Sequence, residues 1–138
     1  MIQRIQTLYL VGGALLLALF VALGSGWADA ISVDTAWLGI VGYALAVLAA
    51  VVALAAVALY KDRPLQRRAI LWAMWLDLAL IVVVLVGLYL RDDAFTDAAP
   101  VGLYLVMLQP IVAYVLLRMA RQRVTRDIEI VRSMDRIR

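Results

Sequence analysis

Four apolar stretches, each long enough to cross a bilayer, occupy most of the 138 residues. They run roughly from Leu8 to Trp27, Ala36 to Tyr60, Ala69 to Leu90 and Pro100 to Ala120. A helix rising about 1.5 Å per residue needs about 20 apolar residues to traverse a hydrocarbon core of about 30 Å. Inside that core every backbone polar group must be bonded within its own segment, which a helix achieves. The pattern predicts an all-α integral membrane four-helix bundle. A soluble fold would need polar residues on every outer face, and 67% hydrophobic residues with a mean hydropathy of +0.98 leave too few. The longest hydrophilic segment is 121–138, so a single domain over 1–138 is expected.

Four crossings put both termini on one side and sort the polar segments into two sets. Met1–Thr7, Lys61–Arg68 and Arg118–Arg138 carry Arg4, Lys61, Arg63, Arg67, Arg68, Arg118, Arg121, Arg123, Arg126, Arg132, Arg136 and Arg138. The opposite loops, 28–35 and 91–99, carry only Arg91 among the 13 basic residues, with Asp29, Asp34, Asp92, Asp93 and Asp97. Basic residues are retained on the cytoplasmic face, so the expected topology is N-in, C-in. Arg4, an apolar run and Ala28-Asp29-Ala30 imitate a cleaved secretory signal. The run is longer than an ordinary signal core, and we read it as the first span.

Cysteine and histidine are both absent, which removes thiol redox chemistry, disulfides, imidazole ligation of haem and the usual soft metal sites. No nucleophile and base pair, metal constellation or phosphate-binding loop is present, so neither an enzyme nor a cofactor is expected. The net charge of +3 follows the membrane flanks rather than forming a patch, which points to lipid headgroups and away from nucleic acid.

Helix association in lipid relies on close approach at small residues and on a few interhelical hydrogen bonds. Ala14, Ala18, Ala22 and Gly26 form a stripe of small residues down the first span. Gly42, Ala46 and Ala50 repeat the spacing in the second, with Ala49, Ala53 and Ala56 beside them. Spans one and two are expected to pack along these stripes; the plainer reading of the second is that alanine is simply a common apolar residue there. Trp27, Trp37, Tyr89 and Tyr104 at one level, and Tyr9, Tyr60, Trp72 and Tyr114 at the other, suit two interfacial belts better than a cation or quinone box.

Asp77 is the one ionisable side chain deep within a span, where an unpaired acid costs several kcal/mol. Counting inward from Arg68 and back from Arg118 places Gln109 at a similar depth. Pro110 follows it and frees the carbonyl of Val106. Two readings arise. Asp77, Gln109 and the Val106 carbonyl form a proton or cation site, or Asp77 is neutralised or hydrogen-bonded and fastens spans three and four together. The second is preferred, because a transport cycle normally uses more polar groups than these.

The tail from Val124 reads as a cytoplasmic amphipathic C-terminal helix, with Val124, Ile128 and Val131 on one side and Ile130, Met134 and Ile137 adjoining. Arg121, Arg123, Arg126, Arg132 and Arg136 are expected to contact anionic headgroups or a partner protein. In Lys61–Arg68, Pro64 helps to break the helix and four cations act as a topology determinant.

Three short anchors span the chain. They are Met1-Ile2-Gln3-Arg4-Ile5-Gln6-Thr7 with Leu8-Tyr9-Leu10, the loop around Arg63 and Gln66, and Val131-Arg132-Ser133-Met134-Asp135-Arg136-Ile137-Arg138. They resemble an uncharacterised family of small four-span bacterial inner-membrane proteins, domain of unknown function 4293. The resemblance implies the same topology in a bacterial inner membrane and supplies no activity. That family's pattern often has Asn where this chain has Asp77, a departure that weakens any claim for an essential carboxyl. The leading expectation is therefore a non-enzymatic accessory, assembly or scaffolding component, contacting lipid, a membrane-protein partner or its own copies. The alternative is a small oligomeric transporter or channel using Asp77.

Overall fold

The computed structural model describes residues 2–24, 36–90 and 101–135. They form four helices: α1 (Ile2–Leu23), α2 (Ala36–Ala58), α3 (Arg63–Tyr89) and α4 (Val101–Asp135). All four are long and apolar enough to cross a membrane. α1 packs on α2 and α4, and α3 packs on the same two, so successive helices are neighbours and the last closes on the first. One buried cluster gathers Leu10 near the start of α1, Ala56 near the end of α2, Ile70 near the start of α3 and Val124 far along α4. Adjacent helices therefore run in opposite directions.

Alanines interleave with larger side chains such as Leu17, Phe20 and Leu80 in the interior, and many large apolar side chains lie outside. Ala14, Ala46, Ala49, Ala53, Ala56, Ala73, Ala113 and Ala120 are buried, whereas Leu8, Leu15, Ile40, Val51, Trp72, Val82 and Leu105 point outward. Water would penalise such a surface heavily, whereas lipid tails are as apolar as leucine and let close backbone approach decide the packing. Glycines in and just after α1 sit close to neighbouring groups. A Cβ on Gly12 would stand 3.3 Å from Leu116 Cδ1, and one on Gly13 would stand 3.4 Å from Leu117 Cδ2. At Gly24 a Cβ would lie 2.5 Å from the Phe20 carbonyl oxygen and 3.2 Å from Tyr43, whose ring also packs against Phe20 with centroids 6.3 Å apart.

The stripe expected on α1 is not its packing face. Ala14 is buried, but Ala18 and Ala22 are exposed, and Gly26 lies outside the described residues. Each step of four residues advances about 40° beyond a full turn, so a strict i, i+4 row leaves the contact line after one step. The buried row instead passes through Leu10, Gly13, Leu17, Phe20 and Gly24, alternating steps of three and four. On α2 the row Leu38, Gly42, Ala46, Ala49, Ala53 and Ala56 also mixes steps of four and three; Gly42 and Ala46 belong to it and Ala50 is half-buried beside it.

Helix starts differ from the apolar boundaries for local reasons. α3 begins six residues before Ala69 because Asp62 caps it, its Oδ1 accepting from the Leu65 amide at 3.1 Å, and Pro64 occupies the first turn. Pro64 thus initiates α3 rather than merely breaking a helix. Gln66 is buried and donates its Nε2 to the Ala56 carbonyl at 3.0 Å, capping one of the last carbonyls of α2. The tail is not a separate helix. α4 runs 35 residues through Pro110 to Asp135, about 52 Å at 1.5 Å per residue.

Candidate functional site

Two places hold polar groups where the fold gives them unusual surroundings. The first is Asp77, fully buried on α3. One turn to either side, Met74 and Leu80 belong to different apolar clusters, so the carboxyl lies at their seam. Among the described residues neither Asp77 oxygen has a hydrogen-bond partner, and the Oε1 of Gln109 has none either. The expected Asp77–Gln109 bond is therefore not made, so the fastening role does not have that contact. Its cause is axial position. Seam residues Ala113 and Leu117 place the level of Asp77 on α4 inward of Gln109, by roughly a turn or more. Counting back from Arg118 treated that arginine as an end, but α4 continues well past it. Pro110 is fully buried within the unbroken helix, where it can offer no amide to Val106.

Among the described residues the Asp77 carboxyl gains nothing by bonding, yet a buried unsatisfied polar group costs about 1–3 kcal/mol. Such a group in a membrane span is a candidate site for a proton, small cation or water. Small residues of other helices, Ala14, Ala49, Ala53 and Ala113, belong to the clusters that meet at this seam.

The second place is the basic end of the bundle. Beyond Ala120, α4 has 15 further residues, about 22 Å of helix added to the roughly 30 Å that hydrocarbon requires. Its inward row continues through Val124, which is fully buried, and Asp127, which is 8% exposed, with Ile128 half-buried. Arg63 at the start of α3 donates Nη1 to the Asp127 carbonyl at 3.4 Å, joining the projecting part of α4 to the α2–α3 turn. On another side Arg118, Arg121, Gln122, Thr125, Arg126 and Glu129 line a groove of about 480 Å³. The Thr125 hydroxyl donates to the Arg121 carbonyl at 3.0 Å, which turns it toward its own helix.

Of the arginines expected to meet lipid or partner, Arg126 is exposed and Arg121 and Arg123 are half-buried. Arg132 falls on the helix, with its side chain outside the described set, and Arg136 lies outside the described residues altogether. Farther along, Ile130 and Val131 are 48% and 44% exposed, past the inward row. Their exposure corrects the amphipathic assignment: Val124 and Ile128 face the bundle, but Val131 does not share their burial. Trp37, Tyr60, Trp72, Tyr89 and Tyr104 point outward, consistent with interfacial belts, while Tyr9 and Tyr114 pack on the core cluster. Trp27 and the two loops 28–35 and 91–99 lie outside the described residues.

Residues 2–137 match a family described as a domain of unknown function, DUF4293, and the chain belongs to that family. No curated protein and no solved structure matches it.

Proposed function

We propose that this member of DUF4293 is a non-enzymatic accessory or scaffolding component of the bacterial inner membrane, with both termini in the cytoplasm and α4 presenting a docking surface there. The observation that carries this reading is the unbroken passage of α4 from the bundle to Asp135. Near the bundle its arginines lie within reach of anionic headgroups; at its far end, about 15 Å past Ala120, Ile130 and Val131 are exposed. An apolar pair on a rigid helix among basic residues suits a groove on another protein, reached by helix-in-groove packing. Orientation follows from the basic residues, because twelve of thirteen fall on one side of the four spans.

The test is purification of the full chain in gentle detergent, with mass spectrometry of what co-elutes, beside the double variant Ile130→Glu, Val131→Glu. A stoichiometric protein that accompanies the native chain and is lost from the variant is the expected result. Recovery of the native chain alone, as monomer or homo-oligomer, rejects the docking role.

A second reading rests on Asp77. Its enclosed, unbonded carboxyl suits a proton or small-cation site, used by a small transporter or channel in an oligomer. Proton or cation flux into liposomes carrying the native chain, abolished by Asp77→Asn with assembly retained, is the outcome this reading requires.

A further inference from the structure

We infer that a groove at the basic end of the bundle, between the start of α1 and the end of α2, binds one anionic phospholipid. Its volume of about 580 Å³ falls within the roughly 300–1,000 Å³ typical of small-molecule sites. The lining is divided along the membrane normal. Leu8 and Val11 of α1 and Val57 of α2 form the part nearer the bilayer core, and Gln6, Thr7, Tyr60 and Gln66 form the part nearer the helix ends. An acyl chain matches the first part and a polar headgroup the second.

The groove opens sideways, because Leu8 on its wall is 70% exposed and Tyr60 is 51% exposed. A concavity that faces hydrocarbon is filled by a lipid tail, and its polar rim then decides which headgroup is held. The residues that follow Tyr60 and Gln66 of that rim are basic. Lys61 Nζ stands 5.8 Å from the centroid of the Tyr60 ring, and Arg67 and Arg68 are exposed on the first turns of α3. The Gln66 bond to the Ala56 carbonyl holds one lining side chain in place before any ligand arrives. A phosphate near Lys61 with a tail along Leu8, Val11 and Val57 satisfies charge and shape together. Binding here requires the helices to span a bilayer and is independent of any protein docked on α4.

The delipidated full chain, titrated with phosphatidylglycerol and separately with phosphatidylcholine, is examined by native mass spectrometry. One phosphatidylglycerol is expected to be retained at concentrations at least about fivefold below those needed for phosphatidylcholine. Lys61→Gln should remove about fivefold of that preference, the effect of one basic side chain near an anionic surface. Leu8→Trp, which fills the groove from an exposed position and leaves the core intact, should weaken both lipids. Retention that survives these two variants but disappears in Arg121→Gln, Arg126→Gln would assign the lipid to α4 and overturn the inference. Equal retention of the two lipids by the native chain would overturn it as well.

Discussion

Replacing Asp77 with alanine should stabilise the bundle, an unusual outcome for truncating a fully buried side chain. Neither carboxyl oxygen is hydrogen-bonded among the described residues, and the side chain is completely enclosed. An unsatisfied buried polar group of this kind is destabilising by about 1–3 kcal/mol. Truncation to alanine removes roughly 25 Å³, which at about 24 cal/mol per Å³ of cavity costs about 0.6 kcal/mol. The balance favours the variant by about 0.4–2.4 kcal/mol. Asp77→Asn keeps a polar group in the same surroundings and should stay close to the native chain. Reversible unfolding in mixed micelles, followed by helical circular dichroism and by the fluorescence of the four tryptophans, measures both. A loss of 1 kcal/mol or more in Asp77→Ala would refute the reasoning, since it would mean that the carboxyl is bonded in the folded chain. Stabilisation accompanied by lost flux would instead identify a group retained for activity at the expense of the fold.

Gly24→Ala should lower stability by about 1–3 kcal/mol in the same assay, because its Cβ would meet the Phe20 carbonyl oxygen at 2.5 Å, with Tyr43 also in the way. Gly13→Ala brings only a 3.4 Å contact with Leu117 and should be neutral or gain up to about 1 kcal/mol from helix propensity. Gln66→Leu leaves the Ala56 carbonyl without its side-chain partner and should lose about 1–3 kcal/mol, read as a lower melting temperature. For topology, single cysteines at Ala30 and Phe95 should react with impermeant maleimide on whole cells, and those replacing the exposed Arg67 and Arg126 should react only after lysis. The reverse pattern would invert the proposed orientation.

The spans were legible because about 20 consecutive apolar residues admit almost no other structure in lipid. Their edges were less so. Apolarity marks where hydrocarbon ends, whereas Asp62 and Pro64 mark where α3 begins, and the two differ by six residues. The packing face of α1 was misplaced because small residues at a fixed step of four look continuous in sequence, while a helix in a bundle presents steps of three and four in alternation. Gly12 and Gly13 carried the missing signal, adjacent glycines inside a helix that would otherwise favour alanine. Asp77 was evident as a lone acid in an apolar run, but its surroundings depend on the axial registration of α3 against α4, which no single span encodes. The groove beside Tyr60 was invisible for the same reason, since its walls come from three helices.

The length of α4 has a mechanical meaning. One uninterrupted ladder of backbone hydrogen bonds joins the Asp135 end of the helix to the layer around Pro110, with no hinge between. Pulling or tilting the tip therefore moves the buried part as a lever moves its short arm, and Arg63, gripping the Asp127 carbonyl, stands near the fulcrum. Whatever binds outside the bilayer acquires a mechanical handle on the helix contacts within it.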